Sequence, residues 1–139
     1  MINMSVENFD ILIVDDDIQF GRLVQRLLLQ MNRAADVAHT GAEAISKAQK
    51  YSNLIVFLDV NLPDLPSLEI AETIHQQQHA SVAVIGLSGH SRSDVRDFVD
   101  SPYVDFYEQK PMSLPDLKSI LQSSLAQGAE LLKVRASST

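Results

Sequence analysis

The chain has 139 residues, enough for one domain, and its 45% apolar content supplies a core. Its 18 acidic and 11 basic side chains leave a net charge of −7, which argues against direct nucleic-acid binding, because a phosphate backbone needs a basic surface. Without cysteine, disulfides and thiolate metal sites are excluded; no apolar run approaches the ~18 residues of a membrane span, and the start lacks the order of a secretory signal, so a cytoplasmic location with no membrane partner is expected.

Residues 1–9 read as an N-terminal tail, 10–127 as the domain, and 128–139 as a C-terminal tail or the start of a linker. The run Ile11-Leu12-Ile13-Val14 marks a first strand over 10–15. Phe20, Leu23, Val24, Leu27, Leu28 and Met31 then recur in helical steps, with Asp17 placed to cap the helix. A weak strand follows at 35–38, and Thr40-Gly41-Ala42-Glu43 has the capping-box spacing of a second helix carrying Ala44, Ile45 and Ala48 inward. Residues 53–59 form an apolar third strand, and Pro63 and Pro66 keep the next segment a loop. Ser67 is expected to cap a third helix whose inward residues are Leu68, Ala71 and Ile74. A fourth strand covers 82–87, a cap at Ser91-Arg92-Ser93-Asp94 opens a short helix with Val95, Phe98 and Val99 inward, and a fifth strand covers 104–109. The last helix carries Leu114, Leu117, Ile120, Leu121 and Leu125, with Gly128 as its stop. Beyond it a turn or two of helix precedes a disordered end at Ala136 to Thr139.

Strand and helix alternate five times, which implies α/β architecture: a parallel sheet covered on both faces. Such sheets open at the carboxyl ends of their strands onto a shared crevice. Asp15 and Asp16 end the first strand, Asp59 ends the third, Ser88 follows the fourth and Lys110 follows the fifth. Carboxylates gathered at one sheet edge repel one another unless a cation joins them. The pattern therefore points to a divalent metal site with a lysine beside it.

Ile-Leu-Ile-Val-Asp-Asp-Asp at 11–17, Leu-Asp-Val-Asn-Leu-Pro-Asp at 58–64, Leu-Ser-Gly at 87–89 and Gln-Lys-Pro at 109–111 together resemble the receiver (CheY-like) domain of two-component response regulators. The resemblance runs from about residue 9 to residue 127. It implies a flavodoxin-like (βα)5 three-layer sandwich with strand order 2-1-3-4-5. It also implies that Asp59 is the phosphoacceptor, that Mg2+ is held by Asp15, Asp16, Asp59 and the main-chain carbonyl of Asn61, and that Lys110 and Ser88 contact phosphoryl oxygens. The donor would be a phosphohistidine on a sensor histidine kinase or histidine phosphotransfer protein. Ser88 and Tyr107 would switch the surface of the fourth helix, fifth strand and fifth helix (α4-β5-α5) toward a downstream protein. The domain would be a signalling module, catalysing only its own phosphorylation and slow autodephosphorylation. His90 stands where the family tunes attack by water, and the bond before Pro111 is expected to be cis. Two positions depart from the family pattern: Ser67 replaces a glycine, and Ser101-Pro102-Tyr103 replaces Gly-Ala before the fifth strand.

Other readings bear on the same residues. A receiver fold that binds partners without phosphorylation is the alternative function. A haloacid-dehalogenase-like phosphatase would need a second aspartate at position 61, which is Asn. A flavodoxin-like cofactor binder would need a Ser, Thr and Gly-rich phosphate loop where three aspartates stand. Asp17 reads as a structural cap, Asp64 as a loop residue, and His75 and His79 as a solvated helix end rather than a metal pair.

Overall fold

The computed structural model describes residues 8–137; the rest of the expected tails, 1–7 and 138–139, lies outside the described residues. Five strands alternate with five helices: β1 Asp10–Val14, α1 Ile18–Gln30, β2 Asp36–Ala38, α2 Gly41–Ala48, β3 Asn53–Leu58, α3 Ser67–Gln76, β4 Ser81–Ser88, α4 Arg96–Val99, β5 Phe106–Gln109 and α5 Leu114–Ser137. All pairings are parallel and the order is β2-β1-β3-β4-β5, as the resemblance implies. Period-2 alternation sorts the apolar strand residues onto two faces. Leu12, Val14, Leu54, Val56, Leu58, Val82 and Val84 face α2, α3 and Phe98 of α4. Ile11, Ile13, Ile55, Phe57, Ala83, Ile85 and Leu87 face α1 and α5. Removing each large apolar side chain from water stabilises the sheet by about 1.5–3 kcal/mol before chain entropy is counted.

Local signals account for most boundaries. The Asp17 carboxylate accepts the Phe20 N–H at 3.0 Å and caps α1. Past its end Asn32 takes φ 62°, and Arg33 N–H returns to Leu28 O at 2.9 Å, a left-handed closure that asparagine tolerates. Thr40 Oγ1 accepts the Glu43 N–H at 3.1 Å, while Glu43 reaches back one residue further than a standard capping box, to His39 N at 2.8 Å. Phe9, assigned to the tail, packs against the core beneath the Arg33 guanidinium, 3.8 Å from its ring centroid.

Five expectations need correction. Gly128 does not stop α5, which runs on to Ser137 and so takes in Ala136 as well. A Cβ at 128 would stand 2.8 Å from Ile55 Cδ1, so the glycine lets the helix lie close on β3 while Leu132, one turn on, is buried too. Ser67 is not the cap of α3; Pro66 is, and the inward face is Ile70, Ala71 and Ile74, with Leu68 exposed. The cap at 91–94 fails because residues 92–95 are a turn and α4 is a single turn anchored by buried Phe98. No described peptide bond is cis, so the bond before Pro111 is trans, the lower-energy isomer even before proline. His75 and His79 are half-buried and partnered rather than a freely solvated helix end: His75 Nε2 lies 3.2 Å from Asp105 Oδ2, and His79 Nδ1 lies 2.7 Å from Tyr51 O.

Gly86 in β4 is the tightest glycine on the other face. A Cβ there would meet Phe98 Cε2 and Tyr107 Cδ1, each at 2.6 Å. Both atoms belong to rigid rings, so Gly86→Ala is expected to destabilise by about 1–3 kcal/mol. Urea unfolding measures this, and a midpoint equal to wild type would refute the close packing.

Candidate functional site

Sheet register builds the site. Val14 of β1 is directly paired with Leu58 of β3, so Asp15 and Asp59 leave the sheet side by side, tied by Asp59 N–H to Val14 O at 3.0 Å. One carboxylate oxygen from each of Asp15, Asp16 and Asp59 falls within 4.8 Å of the others. Asp15 and Asp59 are buried and Asp16 is exposed. Main-chain amides hold the two buried acids: Asp17 N–H donates to Asp15 Oδ1 at 2.9 Å, and Val60 N–H to Asp59 Oδ1 at 2.8 Å. Lys110 arrives from the end of β5, where its own N–H donates to Ser88 O at 2.7 Å. Its ammonium stands 2.8 Å from Asp15 Oδ2 and 3.6 Å from Asp59 Oδ2, with the Phe20 ring centroid 4.1 Å away.

The remaining expected residues sit close by in the chain. Ser88 is buried at the end of β4, and its Oγ accepts the His90 N–H at 3.4 Å. Asn61, in the loop after β3, donates from Nδ2 to His90 Nε2 at 2.6 Å. Tyr107 is buried in β5, and its hydroxyl donates to the carbonyl of His90. The sheet thus brings together Asp15, Asp16, Asp59 and Lys110, and it links Ser88, Asn61, His90 and Tyr107 through the loops after β3 and β4.

The donor set is hard oxygen throughout, which fits a cation of the Mg2+ class that keeps part of its water shell. Charge balance points the same way. Burial, reinforced by the nearby Asp59 charge, pushes the Asp15 carboxyl up, against the pull of Lys110 and the Asp17 N–H. A folded-state value above the unfolded one, near 3.8, means the folded protein binds that proton more tightly. Stability therefore falls as pH rises from the unfolded value through the folded one. Asp15→Asn removes this charge, so the metal-free variant is expected to melt higher than wild type at neutral pH and to gain less from added Mg2+. Thermal melts with and without Mg2+ measure both; a lower melting point would show that Lys110 already compensates the acid.

Three contributions escaped the sequence. Ser67 Oγ bridges Asp59 O and Val60 O, each at 2.6 Å, and so fixes the main chain beside Asp59. Its backbone is helical, without the positive φ that would demand glycine. Asp64, read as a loop residue, accepts the N–H groups of Gly41 at 2.7 Å and Ala42 at 2.9 Å and so joins the loop after β3 to the start of α2. Those two donors hold its carboxyl below the ordinary range. Phe20 packs against the core as its helical spacing implies, and its ring also supports the lysine. Only Asp64 left a trace in the sequence, as an acid between two prolines.

Residues 11–122 match the family model of the response regulator receiver domain. Among curated proteins, the transcriptional regulatory protein TrcR of Mycobacterium tuberculosis is 32% identical over 123 residues, covering 87% of this chain and 47% of that protein. The chain spans about half the length of the curated relatives it matches. Among solved structures, a CheY-like receiver domain from Methanospirillum hungatei aligns with a TM-score of 0.73 at 23% identity, covering 88% of this chain and 98% of that one. The response regulator TrrA from Thermotoga maritima, solved in complex with Mg2+ and BeF, aligns with a TM-score of 0.70 at 25% identity, covering 84% and 99%.

Proposed function

We propose, from the premise that this chain belongs to the response regulator receiver domain family, that it takes a phosphoryl group onto Asp59 from a phosphohistidine. The observation that carries the reading is Lys110: one ammonium reaches two buried carboxylates that end neighbouring strands. An Asp59 oxygen attacks phosphorus in line. The P–N bond to the donor imidazole breaks, and the imidazole leaves with the bonding electrons and takes a proton. Phosphoryl transfer is chiefly positioning plus neutralisation of spread charge, and the chain supplies both. The Val60 N–H and the Ser67 bridge hold Asp59 in place. Lys110 offers positive charge to an equatorial oxygen, and the Ser88 hydroxyl donates to another. Asp15, Asp16, Asp59 and the main-chain carbonyl of Asn61 are the groups that would hold Mg2+, which when bound neutralises charge on the transferring oxygens. BeF with Mg2+ on the similar receiver TrrA supports the same site chemistry here.

The donor protein is a sensor histidine kinase or a histidine phosphotransfer protein, met in the cytoplasm. The output is a changed α4-β5-α5 surface read by a protein partner, with Ser88 and Tyr107 as the switching residues. His90 sets the lifetime of the acyl phosphate through its contact with Asn61. Incubation with acetyl phosphate tests the reading. Intact-mass analysis should find one added phosphoryl group, dependent on Mg2+ and absent in Asp59→Asn. Labelling that survives in Asp59→Asn would move the acceptor elsewhere; no labelling of wild type would favour a phosphorylation-independent interaction module.

A further inference from the structure

The inward seat of Tyr107 has four sides. Gly86 forms its floor, since any Cβ there would strike the ring. Phe98 forms a wall, edge-on at 6.1 Å between centroids and 74° between planes. The His90 carbonyl closes the far end by accepting the Tyr107 hydroxyl. The fourth side is Arg92, an exposed residue of the turn before α4. Its Nη1 donates to the main-chain carbonyl of Tyr107 at 2.9 Å, and its guanidinium carbon lies 5.8 Å from the Tyr107 ring centroid.

These contacts belong to a longer seam. Between the loop after β4 and β5 run Lys110 N–H to Ser88 O at 2.7 Å, Gln109 Nε2 to Gly89 O at 3.3 Å, Tyr107 Oη to His90 O, and Arg92 to Tyr107 O. The first lies beside the carboxylate cluster and the last lies furthest along the loop toward α4. We propose that Arg92 is a positioning residue that fastens the loop after β4 to β5 and holds the Tyr107 ring in its inward seat. Ser88 and Tyr107 then move as one body, and α4 follows through the same turn. The consequence for signalling rests on Asp59 being the phosphoacceptor; the fastening itself does not.

The test uses the full chain labelled with 3-fluorotyrosine. The chain has three tyrosines, so Tyr107→Phe assigns the Tyr107 resonance among Tyr51 and Tyr103. Measured without any phosphodonor, Arg92→Ala is expected to move the Tyr107 fluorine resonance and enlarge its H2O/D2O solvent shift, with Tyr51 and Tyr103 in place. Arg92→Met keeps the aliphatic stem but loses donor and charge, and should behave alike, while Arg92→Lys should recover part of the wild-type position. If all three resonances shift in Arg92→Ala, the fold itself is disturbed and Arg92→Met decides. Beryllofluoride with Mg2+ should bind Arg92→Met more weakly than wild type by up to about fivefold, because the affinity carries only the part of the Arg92 contacts that strengthens on binding. A Tyr107 resonance and solvent shift unchanged in Arg92→Met would overturn the proposal. Wild-type protein that neither binds beryllofluoride nor accepts phosphate would instead tell against the Asp59 reading, with the fluorine result still deciding on Arg92.

Discussion

Lys110→Ala is expected to slow labelling of Asp59 by acetyl phosphate by about 10²-fold or more, the usual loss when one preorganised charge is removed from a partly buried transition-state site. The lysine is preorganised by its surroundings. Asp15 holds it at 2.8 Å, the Phe20 ring lies on another side, and its main chain is tied to Ser88. Little reorganisation is needed when charge develops beside Asp59, 3.6 Å away. The same substitution leaves two buried acids with no basic side chain between them. A stability loss of about 1–3 kcal/mol is expected, and Mg2+ should recover more of it than it adds to wild type. Lys110→Arg is not expected to rescue the rate, because a planar fork cannot take the place of a compact ammonium between two carboxylates. Labelling kinetics and thermal melts with and without Mg2+ read both effects; a Lys110→Ala rate equal to wild type would remove the lysine from the chemistry.

Much of this molecule was legible before any coordinates. Strand-forming runs that are apolar throughout announce a sheet buried on both sides, and helices between them force parallel pairing. Once that is granted, residues that end strands must share an edge, and Asp15, Asp16, Asp59, Ser88 and Lys110 follow from position alone. Caps at Asp17 and Thr40 were legible because their partners lie three residues away.

What stayed hidden depends on partners distant in sequence. Asp64 bonds to amides 22 and 23 residues away, and Ser67 to carbonyls seven and eight away, so the place of Asp64 between two prolines hints at a role without naming its partners, and Ser67 leaves no local signal. Gly128 misleads for the opposite reason. A glycine after a helical run usually means a left-handed stop, yet here β3 requires a missing side chain, and the helix continues. The period Leu117, Leu121, Ser124, Gly128, Leu132 carried that information, but small residues do not register as an apolar stripe.

The second large effect centres on Asp105, the residue before β5. This carboxylate, nearly enclosed, joins three layers. From the sheet it accepts the Val84 N–H at 2.8 Å. From α5 it accepts Arg135 Nη2 at 2.6 Å and Nη1 at 3.2 Å, and from α3 His75 Nε2 stands at 3.2 Å. Burial alone would raise its pKa, but the hydrogen bonds from His75, Arg135 and Val84 outweigh burial and hold it below the ordinary carboxylate range. A depressed folded-state value means a contribution to stability that is present above the unfolded pKa and lost as pH falls through the folded one. Asp105→Ala is expected to destabilise by about 3 kcal/mol, because it orphans the buried Val84 amide and takes the carboxylate from Arg135, leaving α5 tied to β4 there through Arg135 Nη1 on Val82 O and Ser81 Oγ on Leu132 O. Arg135→Ala should cost less, since His75 and Val84 remain. The double variant should then lose less than the sum of the two singles, a coupling that urea unfolding of all four proteins measures. Hydrogen exchange should show the loss concentrated in residues 128–137 and in β4. If the losses simply add, or if protection at the end of α5 is unchanged in Asp105→Ala, then Asp105 is not what pins that helix to the sheet.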